Sequence, residues 1–162
     1  MFSGDESLND VGRRQVNEIA KLDVPSMARR LAAPERRVGQ TAQLRGLRVI
    51  TEPRLADLDC GQLQGKTLED VRPEDLRVWL TDPAQVPHGG ESISALIGRV
   101  QGWLASLAEH TLATVAVTHP AVIRAAIVSA LGAPAKSFWR LDISPASRTT
   151  MHFRRGSWTL RW

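Results

Sequence analysis

Thr114-Val115-Ala116-Val117-Thr118 runs straight into His119-Pro120 and then into a helical pattern, and this junction constrains the architecture more than any other stretch of the chain. The short apolar, β-branched run reads as a buried parallel strand whose carboxyl end delivers His119 to a sheet edge. The helix that follows spans Ala121 to Leu131 and is stopped by Gly132 and Pro134. A strand feeding directly into a helix belongs in a layered α/β fold.

The alternation extends along the chain. Asn9 or Asp10 caps an expected helix over Val11 to Leu22, with Val11, Val16, Ile19 and Leu22 on one face, and Pro25 breaks it. Met27 to Ala33 is a short segment ended by Pro34, and Arg36 to Gly46 reads as a second helix stopped by glycine. Leu47 to Leu55, centred on Val49-Ile50-Thr51, reads as a strand interrupted by Pro53. Residues 56 to 91 are loop-rich, with a short helix around Thr67 to Leu80 and turns at Asp82-Pro83 and His88-Gly89-Gly90. The clearest helical period lies in 92 to 109, where Ile93, Leu96, Ile97, Val100, Trp103, Leu104 and Leu107 recur three or four apart behind a Ser92 cap. Phe138 to Ile143, Arg148 to Phe153 and Trp158 to Trp162 alternate and read as a terminal antiparallel meander.

A length of 162 residues suits one domain, 1–162. The single Cys60 rules out a disulfide scaffold. No apolar run reaches about 18 residues and the first residues lack a secretory pattern, so the expectation is a cytoplasmic protein with no membrane partner. Of the 21 basic residues 18 are arginine, against 17 acids, a net charge of +4 that mildly favours anionic ligands. The arginines are scattered among acids, with no basic run and no aromatic interleaving, so no nucleic acid is expected as a partner.

Six side chains stand out. His119 sits where ligands of open α/β sheets bind, beside helix amides that attract anions; the competing reading is a histidine that caps the helix. Arg37 opens a helix, against the dipole's preference, which suits a held anion or acid; the plainer reading is a solvated arginine. Asp57 and Asp59 share a side of an extended segment, where one can serve as a general acid or merely bond its own turn. His88 and Glu91 lie on the loop before the strongest helix, placed to touch a substrate; the plainer reading of His88 is a loop histidine that does nothing. No pair of ligating residues shows zinc spacing, so no metal is expected.

Taken in order, these segments resemble the histidine phosphatase superfamily, also called phosphoglycerate mutase-like. Phe2 to Gly12 is similar to the family's segment after its first motif, and Ala33 to Ala42 to its Ser-Pro-x-x-Arg-x-x-Gln-Thr-Ala stretch. Leu55 to Thr67 resembles its Asp-x-Gly-x-x-x-Gly-x-Thr segment, Pro87 to Ser92 its Gly-Gly-Glu-Ser, and Val117 to Ala125 its Thr-His-Gly-Gly-Val-Ile-Arg-Ala. The resemblance implies a three-layer α/β/α fold with a mixed, mostly parallel sheet. It implies a phosphomonoester hydrolase that works through a phosphohistidine, without metal or organic cofactor, on a phosphorylated small molecule. Arg37 would clamp phosphate, His119 would donate to the phosphoryl group, and Asp57 stands where the family usually has a glutamate proton donor.

The chain departs from the family pattern at several points. Pro120 replaces a glycine and Ala33 a serine, and Asp57 is one methylene shorter than glutamate. No Arg-His-Gly, the family's nucleophile motif, occurs in the 162 residues; His88-Gly89-Gly90 aligns elsewhere. The expectation is therefore an N-terminally shortened domain that lacks the first strand and is inactive as it stands. The alternative is a non-catalytic phosphate-ligand-binding or interaction protein on the same fold. Without that strand, Thr114 to Thr118 is expected to pair with the C-terminal strands or with a second copy in a homodimer.

Overall fold

The computed structural model describes residues 24–162, so the expected helix over Val11 to Leu22 lies outside the described residues. Three parallel strands form the central sheet. Strand β1 (Arg29–Ala32) lies between β2 (Ile50–Thr51) and β3 (Thr114–Val117). β1 sets Arg29 opposite Thr114 and Ala32 opposite Val117, and the Ala33 amide extends the pairing by donating to the Val117 carbonyl at 2.9 Å.

β2 is shorter than the expected Leu47 to Leu55 strand. Pro53 cannot donate to a ladder, and Pro53–Leu55 turn instead into one 3-10 turn in which the Glu52 side chain accepts from the Arg54 amide. β3 is parallel as expected but half-buried, because among the described residues only β1 flanks it.

Helix α1 (Arg36–Leu44) follows β1, buries Val38 and Ala42 one turn apart, and ends at Gly46, whose φ of 71° continues no helix. Helix α2 (Pro73–Thr81) starts six residues later than Thr67. Proline disfavours a helical residue before it but suits a first helical position, so Leu68–Asp70 form a separate turn, with the Asp70 carboxylate bonded to the Thr67 amide. Helix α3 (Ile93–Ala108) is capped by Ser92, whose Oγ accepts from the Ala95 amide at 3.0 Å. It buries Ile93, Leu96, Val100, Trp103 and Leu104, each contributing about 1.5–3 kcal/mol where fully buried. Helix α4 (Pro120–Leu131) packs along α3 and closes at Gly132, φ 61°.

The expected three-strand meander is a two-strand hairpin. β4 (Thr150–Arg154) and β5 (Ser157–Arg161) pair antiparallel across Arg155-Gly156, both at positive φ, the turn that matches strand twist. Ala135–Arg140 is 3-10 rather than strand. Phe138 is buried and Trp139 packs edge-on against both Phe138 and Trp79, so two neighbouring side chains turn inward where a strand would alternate them. The hairpin does not pair with β3, so the expected pairing of Thr114 to Thr118 with the C-terminal strands is overturned: β4 and β5 pair with each other.

Two glycines fix how the loop after β2 meets the loop before α3. A Cβ on Gly61 would fall on the His88 carbonyl and one on Gly90 on the Asp59 carbonyl; the strands of loop are stitched there by Gln62 N–H to His88 O (2.9 Å) and Glu91 N–H to Asp59 O (2.8 Å). Gly89, at φ 73°, meets nothing within 4 Å. Gly90→Ala is expected to cost about 2–3 kcal/mol, roughly 5–10 °C in Tm, against about 1 kcal/mol for Gly89→Ala, as measured by thermal unfolding.

Candidate active site

Three chain segments converge at the carboxyl ends of β1 and β3. Beyond β1, Pro34 turns the chain and Glu35 takes the N-cap position of α1 in an extended conformation, yet its side chain does not cap that helix. It crosses instead to β3, where its Oε2 lies 2.6 Å from Nε2 of His119, while its Oε1 accepts from the Asp57 amide at 2.9 Å. Arg37, in the first turn of α1, donates from Nη2 to Oδ2 of Asp57 at 2.9 Å and lies 3.1 Å from Nδ1 of His119. Asp57 Oδ2 stands 3.5 Å from that same Nδ1, and Asp57 Oδ1 accepts from the Leu58 amide.

His119 is 3% exposed, whereas the Arg37 and Asp57 side chains each keep 21%. The site is thus an inner imidazole with a guanidinium and a carboxylate at its rim. Burial, the largest influence, pushes the Glu35 carboxyl up, but the Asp57 amide and the His119 ring together outweigh it and hold it below its ordinary 4.5. Its stabilising effect is therefore present above that ordinary value and lost as pH falls through the lower folded-state value.

The sequence placed Arg37, Asp57 and His119 as candidates, and the fold brings all three together. His88 and Glu91 join a different arrangement. His88 is 2% exposed, edge-on to Trp79, with Nδ1 accepting from the Gly90 amide, so it is packed inside its loop rather than offered to a substrate. Burial pushes its imidazole down, against a smaller opposing pull from Asp59. Glu91 is held by Arg99 through two bonds, 2.9 Å from Nε and 2.8 Å from Nη2. Both side chains are thus engaged by their own loop and by α3. Cys60 is no nucleophile at neutral pH: burial, then the charges of Asp57, Asp59 and Glu91, push its thiol up to about 11.

Two residues were not singled out beforehand. One is Glu35. The other is Arg99 of α3, whose guanidinium also donates to the carbonyls of Arg54 (2.8 Å), Ala56 (2.9 Å) and Asp57 (3.4 Å). It ties the Asp57 segment to α3 and to Glu91 at once. Thr118 adds a further tie, its hydroxyl donating to the Leu55 carbonyl at 2.7 Å. Among the described residues no group of His, Cys, Asp and Glu is arranged to hold a metal ion, and no helix is long and apolar enough to cross a membrane.

Removing Arg99 leaves Glu91 and three carbonyls without their shared donor. Arg99→Ala is expected to destabilise the protein by about 2–3 kcal/mol, and Glu91→Gln, which keeps one acceptor, by about 1 kcal/mol. Urea unfolding measures both, and amide exchange at Leu58 is expected to accelerate in Arg99→Ala beyond what the global loss explains.

Residues 2–162 match the family model of the histidine phosphatase superfamily (branch 1). The chain is 30% identical over 163 residues to phosphoserine phosphatase 1 of Hydrogenobacter thermophilus, covering 91% of this chain and 75% of that protein. It is 26% identical over 167 residues to a probable phosphoglycerate mutase of Yersinia pestis, covering 95% and 77%. Its fold superposes with a TM-score of 0.86 on a phosphoserine phosphatase mutant from Entamoeba histolytica in complex with phosphoserine, at 23% identity over 98% of this chain and 85% of that one. The chain belongs to the histidine phosphatase superfamily.

Proposed function

We propose that this protein carries the phosphate-handling half of a phosphomonoesterase site, with Arg37 as phosphate clamp, His119 as the group that donates to the phosphoryl oxygens, and Asp57 as proton donor to the leaving group. One observation carries the reading: Arg37 lies against both the buried His119 and the Asp57 carboxylate, although the three come from separate segments. A guanidinium and an imidazole side by side present N–H donors to one oxyanion, and a neighbouring carboxyl is the acid that an alkoxide leaving group needs. The substrate class, a phosphorylated small molecule, is supported by the relative from Hydrogenobacter thermophilus that is a phosphoserine phosphatase.

Nucleophilic attack in this family comes from an Arg-His-Gly histidine, and the 162 residues contain no such motif. Turnover through a phosphohistidine therefore requires a form that supplies that motif, and these 162 residues bind phosphate without hydrolysing esters at an appreciable rate. The same observation favours a second reading, a phosphate-ligand-binding protein on this fold that never turns over.

Isothermal titration with vanadate and turnover of an aryl phosphate separate these outcomes. The chain is expected to bind vanadate saturably, Arg37→Ala to lose that binding at least tenfold, and aryl phosphatase activity to stay near background. Adding a first strand that ends in Arg-His-Gly restores turnover on the phosphatase reading, and Asp57→Asn in that form then lowers it by about 10²–10⁴ for poor leaving groups. No turnover in the extended form sinks the phosphatase reading. Ordinary turnover by the 162 residues alone sinks the account of the nucleophile.

A further inference from the structure

Glu35 is the unexplained member of the cluster. It carries no role in the resemblance, it sits at a helix N-cap without capping, and its carboxylate is spent on a histidine 84 residues away. The hydrogen bonds around His119 define what it does there. A guanidinium can only donate, so the 3.1 Å contact from Arg37 Nη2 makes Nδ1 the ring's acceptor. The 2.6 Å contact at the other nitrogen then needs a proton, and since the Glu35 carboxyl is held ionised, the proton sits on Nε2. Asp57 Oδ2, at 3.5 Å from Nδ1, is too far to make a competing bond there. The two contacts agree on a single tautomer.

We propose that Glu35 is the positioning residue of His119: by accepting from Nε2–H it fixes the tautomer and ring orientation, and so leaves Nδ1, beside Arg37 and Asp57, as the nitrogen that faces a phosphate monoanion, accepts the proton of its P–OH and then donates it back to the resulting oxyanion. The role of Nδ1 rests on the phosphate reading above, whereas the tautomer does not. Glu35 also accepts from the Asp57 amide, so one carboxylate sets the inner imidazole and the rim carboxyl in a common frame. It is a charged acceptor at the far side of the ring, the same arrangement by which a carboxylate behind a histidine fixes its orientation and raises its basicity in other sites. The side chain of Glu35 is 16% exposed and His119 is 3% exposed, so water competes little for the bond.

Nitrogen-edited NMR of the ring protons tests this on the unliganded 162-residue chain, with His119 assigned by comparison against variants of His88, His110 and His152. The wild type is expected to show His119 protonated at Nε2 alone, with that proton far downfield and slow to exchange. Glu35→Gln retains an oxygen acceptor and is expected to keep the tautomer while the proton moves upfield. Glu35→Ala is expected to lose the resonance to exchange with water while the backbone amide spectrum stays folded. Vanadate affinity is expected to fall about tenfold in both variants, since the buried imidazole loses its charged partner. An unchanged Nε2 proton in folded Glu35→Ala, or a wild-type ring protonated at Nδ1 instead, overturns the proposal. A wild-type chain with the Glu35-dependent proton that binds no vanadate supports the positioning of His119 and overturns the phosphate reading.

Discussion

β1 and β3 lie in parallel register and stop level with each other, Ala32 opposite Val117, and the residues immediately beyond those two ends make the site. Parallel pairing aims both chain exits in the same direction, so a residue a few positions past one strand can reach a residue just past the other. Glu35 and Arg37 lie three and five residues beyond Ala32, and His119 lies two beyond Val117. Leu31 and Ala32 point to opposite faces of the sheet and both are buried, so a slip of one residue would exchange the faces they fill and carry Arg37 away from His119. The burial of Leu31, Ala32 and Ala33 therefore holds the chemistry in place as well as the sheet.

That third segment has no strand of its own to define it. Asp57 follows a 3-10 turn and depends on what grips the loop from outside: Leu55 fully buried in the core, Thr118 on the Leu55 carbonyl, Arg99 on the carbonyls of 54, 56 and 57, and the glycine crossing at Gly61 and Gly90. Backbone without a ladder must satisfy its carbonyls somewhere, and here a single guanidinium satisfies three of them. The rigidity of the Asp57 position is thus built from α3, the helix with the plainest sequence signature, through the Arg99 side chain that reaches back to those carbonyls.

How much of this the sequence disclosed follows from where each partner lies. α3 and the junction at His119 were legible because their signals are local: a three- and four-residue period with a serine cap, and an apolar run meeting proline. Arg37, Asp57 and His119 were legible as candidates by type and position, but not their contact, which spans up to 82 residues. Glu35 was hidden among Pro34, Arg36 and Arg37, where a charged residue reads as solvated; the available signal was a carboxylate at a cap position directly past a strand. Arg99 was hidden among the apolar positions of α3, since helical spacing reports which residues face the core and says nothing of which polar residue reaches a neighbouring loop. The Phe138 segment misled for the converse reason: its brief alternation mimics a strand, while Trp79 and the core draw both Phe138 and Trp139 inward.

The geometry of the cluster links Glu35 to Asp57. The Asp57 carboxylate lies 2.9 Å from Nη2 of Arg37, so a phosphate ester approaching that guanidinium meets Asp57 at the same nitrogen. Two charges about 4 Å apart near a protein surface repel by roughly 4 kcal/mol. On the phosphatase reading an arriving phosphate therefore competes with Asp57 for the guanidinium, and the carboxyl it displaces is the one that reading assigns as acid. Glu35 is not available for that task, because the Asp57 amide and the His119 ring hold it in its ionised form, below its ordinary range. The two carboxyls of the cluster are thereby divided by their hydrogen bonds: Glu35 accepts from the ring and from a backbone amide behind it, and Asp57 faces the guanidinium at the rim.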